Sequence, residues 1–147
     1  MSSCITEPVH AEMAMARVLL VDDDPASRLT LQAVLRAGGY VVESAASVEE
    51  AVNKLEESEY ELVLTDIGMD SPQAGYRVAA HARLMDYRPA TALITTYRDG
   101  KTFEEAPVST QPLLIASEDL PELLTKVADL IGERAMRQAA RSIRHAG

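Results

Sequence analysis

The chain has 147 residues, which is enough for one domain with a buried core and too few for two. Its 47% hydrophobic and 25% charged residues are typical of a globular protein, and its net charge of -9 argues against nucleic acid or an anionic membrane surface as a partner. The only cysteine, Cys4, excludes an internal disulfide, and no apolar stretch approaches the roughly 20 residues that span a bilayer, so we expect a cytoplasmic protein.

The two ends of the chain differ in composition from its body. Residues 1–16 lack the basic start and apolar run of a secretory signal, and we predict a disordered leader there. Residues 132–147 hold four arginines against one glutamate, a net charge of +3, which leaves -12 on the preceding residues. Four arginines are few for a DNA-binding module. We therefore predict a basic helical extension after a domain of residues 17–131, and its role in a homodimer stays open.

The first elements are a strand and a helix. The run of Val and Leu from Arg17 to Asp22 predicts a strand that is covered on both faces. Asp24 is predicted to cap the following helix, with Pro25 as its first residue. Gly38 and Gly39 are predicted to end it. The residues predicted to face the core are Leu29, Leu31, Val34 and Leu35.

A second strand and helix follow at once. Tyr40 to Glu43 is predicted to form the strand. Ser47 with Glu50 three residues later is typical of a capping box, which predicts a helix that runs to about Ser58. The residues predicted to face the core are Val48, Ala51, Val52 and Leu55.

The third and fourth strands are predicted from Glu61 to Asp66 and from Thr91 to Thr96. Between them, a loop with Pro72 and Gly75 is expected to precede a helix from Tyr76 to about Asp86. That helix is predicted to pack through Val78, Ala79, Ala82 and either Leu84 or Met85. Strict alternation of strands and helices with short connections predicts a parallel sheet with right-handed crossovers.

The alternation weakens after the fourth strand. Residues 97–106 are polar and leave room for a turn or two of helix at most. The fifth strand is either Pro107 to Thr110 or the more apolar Leu113 to Ala116. A last helix is predicted to begin at residues 117–119 and to continue to about Ile143, with the apolar face Leu120, Leu123, Leu124, Val127, Leu130 and Ile131.

Acidic side chains and hydroxyls end the predicted strands. Asp22, Asp23, Asp66 and either Thr95 or Thr96 stand at the carboxyl ends, which meet at one edge of a parallel sheet. Three crowded carboxylates repel one another unless they bind protons or a cation, and Mg²⁺ suits such hard oxygen ligands. A carboxylate can also attack a phosphoryl group to form an acyl phosphate. The pattern therefore predicts a phosphoryl-transfer site with Asp66 as the acceptor.

Three motifs carry a family resemblance: Val21-Asp22-Asp23-Asp24-Pro25, Leu64-Thr65-Asp66-Ile67-Gly68-Met69 and Ile94-Thr95-Thr96-Tyr97. From Arg17 to about Val127 the chain resembles a response-regulator receiver domain of two-component signalling, in its stand-alone, chemotaxis-regulator-like form. The resemblance implies an α/β, flavodoxin-like fold in which a five-stranded parallel doubly wound sheet of order 2-1-3-4-5 is flanked by five helices. Here the fourth of those helices is expected to be short or absent.

The resemblance also implies the role of each site residue. Asp66 would accept phosphate from a histidine kinase or a phosphotransfer protein. Asp23 would bind Mg²⁺ directly, Asp22 would act largely through water, and the carbonyl oxygen of Gly68 would complete the metal ligands that Asp22, Asp23 and Asp66 provide. Thr95 would supply the hydroxyl that contacts the phosphoryl group, and Thr96 is the weaker candidate.

The chain departs from the family pattern near the fifth strand. A lysine before a proline usually pairs with the phosphate, and the corresponding dipeptide here is predicted to be Gln111-Pro112. Glutamine donates a hydrogen bond but carries no charge. The usual aromatic switch residue falls on Val108, and the proline usually found after Met69 is Asp70. If the fifth strand is Leu113 to Ala116, Gln111 is instead a plain turn residue.

Three functions are compatible with these motifs. The first is a single-domain receiver, not an enzyme beyond its own phosphorylation and dephosphorylation, that signals to a downstream protein target. The second is a degenerate receiver that binds its partner independently of phosphorylation, which Gln111 and Val108 favour. The third, a small phosphohydrolase that depends on Mg²⁺, is the weakest because no second aspartate follows two residues after Asp66.

Overall fold

Strands and helices alternate along the chain in the computed structural model, which describes residues 16–66, 72–95, 113–116 and 120–146. The strands are β1 Arg17–Val21, β2 Val41–Ala45, β3 Leu62–Asp66, β4 Ala90–Thr95 and β5 Leu113–Ala116. The helices are α1 Pro25–Ala37, α2 Val48–Glu57, α3 Pro72–Arg83 and α4 Leu120–Ala146. The strands form one sheet in the order β2-β1-β3-β4-β5, and every pair is parallel. The α/β fold and the strand order confirm the prediction.

Apolar residues on alternate positions of the strands form a core on each side of the sheet. One core joins strand residues such as Leu20 and Leu64 to α1 and α4, through Leu35 and Leu123. The other joins Leu19 and its neighbours to α2 and α3. The alternation follows from the strand geometry, in which successive side chains point to opposite faces. Because helices cover both faces, polar groups of the sheet can reach solvent mainly at the ends of the strands.

The caps of α1 and α2 follow the predicted chemistry. Asp24 accepts a hydrogen bond from the Ser27 backbone N–H at 2.8 Å, and Ser47 accepts one from Glu50 at 3.1 Å. Glu50 in turn accepts from the Ala46 backbone N–H at 2.8 Å, one residue before the position that a standard capping box would use. These caps begin both helices at the predicted residues.

Gly39 completes the end of α1. Its φ of 100° lies in the region that glycine adopts without steric cost, and its N–H donates to the Arg36 carbonyl oxygen at 3.0 Å. The chain then turns directly into β2.

Several predicted boundaries and one predicted core position were wrong. Leu29 is 69% exposed, so it does not belong to the apolar face of α1. β2 begins one residue later than predicted and continues to Ala45, because pairing with β1 extends it through Ser44 and Ala45, which have weak strand preference. α3 begins at Pro72 rather than at Tyr76, since proline needs no N–H partner at the first helical position.

The structure decides which residue after α3 packs against the core and which segment forms the fifth strand. Met85 packs against the core, whereas Leu84 is 76% exposed. The fifth strand is Leu113–Ala116, which pairs with β4 from Ala92 to Thr95. Whether a helix precedes β5 concerns residues outside the described part of the chain.

The C-terminal helix α4 continues without a break across the predicted boundary at residue 131. Beyond that point, Arg134 donates to the carbonyl oxygens of Tyr87 and Arg88 at 2.6 and 3.0 Å, and Gln138 donates to that of Tyr87 at 3.2 Å. Part of the basic helical extension, residues 132–147, therefore lies against the loop that precedes β4, while the domain limits themselves stay a prediction.

The predicted leader lies outside the described residues except for Ala16. No helix in the described ranges is long and apolar enough to cross a membrane.

Tyr87 joins this loop to α2 and provides a test in alkaline solution. Its hydroxyl donates to the Leu55 carbonyl oxygen at 2.8 Å, and burial raises the pKa of Tyr87 from 10.0 to about 12. A raised pKa means that the stabilisation is complete below pH 10 and is lost as the pH rises towards 12. We expect Tyr87→Phe to cost about 1 kcal/mol at pH 7, through the lost hydrogen bond, and to unfold less steeply above pH 10. Urea unfolding at both pH values measures this, and an identical alkaline loss in the two proteins would contradict it.

Candidate functional site

Three aspartates meet at the carboxyl edge of the sheet. Asp22 follows β1 directly, Asp23 comes next, and Asp66 is the last residue of β3. One carboxylate oxygen from each residue lies within 4.8 Å of those of the other two. Asp22 is 0% exposed and Asp66 is 4% exposed, whereas Asp23 is half-buried. The structure thus brings together the three predicted aspartates and leaves one of them open towards solvent.

Backbone contacts hold the turn between β1 and α1 in place. The Asp22 N–H donates to the Ala45 carbonyl oxygen of β2 at 3.0 Å, which continues the sheet by one residue. Asp22 Oδ1 accepts from the Asp24 N–H at 3.0 Å, so one oxygen of this carboxylate is used to shape the turn. Its other oxygen, Oδ2, is buried and has no hydrogen-bond partner among the described residues. Such a buried oxygen is costly unless it meets a donor or a cation.

The oxygen atoms at this edge fit a magnesium ion. Mg²⁺ takes oxygen ligands and is typically held by one or two carboxylates together with water and phosphate oxygens. The cluster offers three carboxylates, a half-open position at Asp23 and the buried Oδ2 of Asp22. A divalent cation would relieve the repulsion among three negative charges, which is largest in a buried setting. The three aspartates therefore suit a magnesium ion.

Asp66 is fixed by the close approach of α3. A β-carbon added to Gly75 would lie 2.8 Å from the main-chain oxygen of Asp66, nearer than real atoms allow. Only glycine lets the first turn of α3 approach the end of β3 this closely. The loop interpretation of Gly75 from the sequence was wrong, and close packing of two elements is the reason for the glycine.

The remaining predicted site residues are described in part or not at all. Thr95 ends β4, and because Asp66 pairs with Ile94, the Thr95 backbone lies one residue further towards the same edge. Gly68, Thr96 and Gln111 lie outside the described residues. The roles of Gly68, Thr96 and Gln111 in the site therefore stay predictions.

The sequence reasoning missed Arg28. This residue lies in the first turns of α1, and its guanidinium Nη1 donates to the Asp22 carbonyl oxygen at 2.8 Å. A signal was available, because α1 begins at the carboxyl edge of the sheet and Arg28 follows the capping Asp24 by four residues, on the same side of the helix.

Comparison with known proteins agrees with this geometry. The family model of the response regulator receiver domain matches residues 18–110. Over 78 residues the chain is 42% identical to the gliding motility regulatory protein of Myxococcus xanthus. That segment covers 53% of this chain and 10% of the relative, so the chain spans about a tenth of that protein.

Solved structures show the same fold. The response regulator protein TrrA of Thermotoga maritima, in complex with Mg²⁺ and a beryllium fluoride, is 30% identical with a TM-score of 0.66, covering 79% of this chain and 99% of that one. An adenylate cyclase structure from Rhodopirellula baltica is 21% identical with a TM-score of 0.77, covering 90% and 98%. The receiver domain of a sensor histidine kinase from Pseudomonas aeruginosa, with magnesium in its active-site cleft, is 23% identical with a TM-score of 0.66, covering 81% and 99%. Because the family model matches more than half of this chain and the aspartates lie at the carboxyl ends of β1 and β3, the chain belongs to the family of response regulator receiver domains.

Proposed function

We propose that this receiver domain accepts a phosphoryl group on Asp66 and signals the change to another protein. The observation that carries the proposal is the meeting of Asp22, Asp23 and Asp66 within 4.8 Å at the carboxyl edge of the sheet. Receiver domains are generally signalling proteins, and they interact with histidine kinases or phosphotransfer proteins and with downstream targets. Asp66 is the candidate acceptor because it ends the central strand β3, with Asp22 and Asp23 on the neighbouring strand's turn.

The proposed reaction transfers a phosphoryl group from a histidine nitrogen to a carboxylate oxygen of Asp66. A carboxylate oxygen of Asp66 attacks the phosphorus of a phosphohistidine, the phosphorus–nitrogen bond breaks, and an acyl phosphate forms while the histidine leaves with the electron pair. The close packing of α3 on the end of β3 at Gly75 is expected to keep the Asp66 backbone in position for this attack.

Asp22, Asp23 and Asp66 would hold Mg²⁺, with Gly68 as a further candidate ligand. When bound, the ion supplies positive charge that offsets the negative charge of the group in transfer. Asp22 Oδ1 orders the β1–α1 turn through its contact with Asp24, so the carboxylate is oriented before any ion arrives. Thr95, at the end of β4, is the proposed hydroxyl donor to a phosphoryl oxygen.

A second candidate is a binding module that works without phosphorylation. The observation that favours it is the lack of lysine and arginine anywhere in residues 107–119, the stretch that surrounds β5. The family usually places a lysine near this strand to contact the phosphate. Without that contact the phosphorylated state would be less stable. The acidic site would then contribute only to the shape of the surface that binds the partner.

The two candidates are separated by adding Mg²⁺ and then beryllofluoride while recording amide chemical shifts. The first candidate predicts shifts that begin at residues 22, 23 and 66 with Mg²⁺ and spread further with beryllofluoride. Acetyl phosphate should then add the mass of one phosphoryl group to the protein. Asp66→Asn, which keeps the size of the side chain, should abolish both the beryllofluoride response and the added mass.

Asp86→Asn is the matched control, because Asp86 is an exposed carboxylate outside the cluster. It should behave as wild type in each measurement. A wild-type protein that binds Mg²⁺ but neither beryllofluoride nor a phosphoryl group would reject the first candidate and leave the second.

A further inference from the structure

Arg28 is anchored next to the acidic cluster by the same residue that contributes one of its carboxylates. Its Nη1 donates to the main-chain oxygen of Asp22 at 2.8 Å, and its side chain is half-buried. A carboxylate oxygen of Asp22 lies within 4.8 Å of one from Asp66. The guanidinium therefore holds a positive charge beside Asp22, whose carboxylate neighbours that of the acceptor, and charges at a partly buried site interact over about 10 Å.

The net charge of the site indicates that a positively charged side chain nearby would stabilise the phosphorylated state. Three carboxylates and one divalent ion leave a net charge of -1, and a phosphoryl group adds further negative charge. The stretch around β5 supplies no lysine or arginine. The carbonyl oxygen of Asp22 uses one of the five N–H donors of the Arg28 guanidinium, which is always charged.

We propose that Arg28 is a positioning residue that supplies positive charge for the phosphorylated state of Asp66. The role is electrostatic and has two opposite consequences. The guanidinium opposes Mg²⁺, which shares its sign, and favours the phosphoryl oxygens, which carry the opposite one. This inference rests on the proposed function, because it assigns a residue to the same site.

The charge of Arg28 should affect Mg²⁺ binding and beryllofluoride binding in opposite directions. A purely structural role would weaken both, so the two roles can be distinguished. Arg28→Gln retains a donor for the Asp22 carbonyl oxygen but removes the charge. We expect it to bind Mg²⁺ about three- to tenfold more tightly and, at saturating Mg²⁺, to bind beryllofluoride weaker by a similar factor. Arg28→Lys retains the charge and should stay within about twofold of wild type in both titrations. Raising the salt concentration should shrink both effects, since partly exposed charges are screened.

Arg36→Gln is the matched control on the same helix. Arg36 also donates from its guanidinium to a strand carbonyl oxygen, that of Val42 at 3.1 Å, but it lies in the last turn of α1. It should leave both titrations unchanged. Amide-detected titrations give the two affinities, and the urea midpoint of each variant reports on folding.

Three outcomes would overturn the role of Arg28. These are equal affinities in Arg28→Gln and wild type, changes of the same sign for Mg²⁺ and beryllofluoride, or an Arg28→Lys variant as impaired as Arg28→Gln. In all three the wild type responds, so the proposed function stands while the inference fails. A wild type without a beryllofluoride response rejects the proposed function, and the role of Arg28 falls with it.

Discussion

Replacing Asp22 by asparagine is expected to stabilise the metal-free protein by about 1 kcal/mol and to weaken Mg²⁺ binding at least about tenfold. Asparagine keeps an oxygen that can accept from the Asp24 N–H, so the turn between β1 and α1 is retained. The substitution removes one of three negative charges whose oxygens lie within 4.8 Å. Two charges at this separation repel by several kcal/mol at an effective dielectric constant of about 20. Because Asp23 is half-exposed and screened by solvent, we expect about 1 kcal/mol to be recovered.

Urea unfolding with and without Mg²⁺ measures both effects in one experiment. A ligand at 100 times its dissociation constant stabilises the folded protein by about 2.7 kcal/mol, so wild type should gain strongly on adding the ion. The variant should begin more stable and gain less, and the order of stability should reverse at high Mg²⁺. Asp24→Asn is the control, since asparagine caps a helix as well as aspartate does and Asp24 is outside the cluster. A metal-free Asp22→Asn protein less stable than wild type would show that the repulsion is already relieved.

The parts of the fold that could be predicted are those in which local pattern and tertiary packing agree. The apolar runs of β1 and β3 are long enough to indicate strands covered on both faces, and Asp24 and Ser47 mark the helix starts. Because parallel strands send their carboxyl ends to one edge, the meeting of Asp22 and Asp66 followed from the alternation of elements.

The incorrect and the undecided predictions have separate causes. Leu29 could have been excluded from the core, because it is two residues from Leu31 and therefore points to the opposite side of α1. The fifth strand could not be assigned, since residues 107–110 and 113–116 both suit a short strand and only pairing with β4 decides. The contact of Arg28 with Asp22 was missed, although Arg28 follows the capping Asp24 by four residues on the same side of α1.

Gly75 is a position where the sequence pattern misleads because the reason for the residue is a tertiary contact. Gly75→Ala is expected to destabilise the protein by about 2 kcal/mol and to weaken beryllofluoride binding. In an exposed helix, alanine would be favoured over glycine by about 1 kcal/mol. Here the added β-carbon would lie 2.8 Å from the Asp66 carbonyl oxygen and 3.5 Å from Leu93, so α3 and β3 must move apart. Overpacking in a rigid core typically costs 1–3 kcal/mol, and we expect this cost to exceed the gain in helix propensity.

Gly132→Ala is the matched control, because Gly132 is also helical and a β-carbon added there would meet no atom within 4 Å. It should stabilise the protein by about 0.5–1 kcal/mol, so the two substitutions are expected to act with opposite sign. Urea unfolding gives the stabilities, and the beryllofluoride titration reports the position of Asp66. Two equally stabilising variants would mean that α3 does not constrain the acceptor. A destabilised Gly75→Ala protein that binds beryllofluoride normally would mean that the contact supports the fold alone, because Asp66 would then keep its place without it.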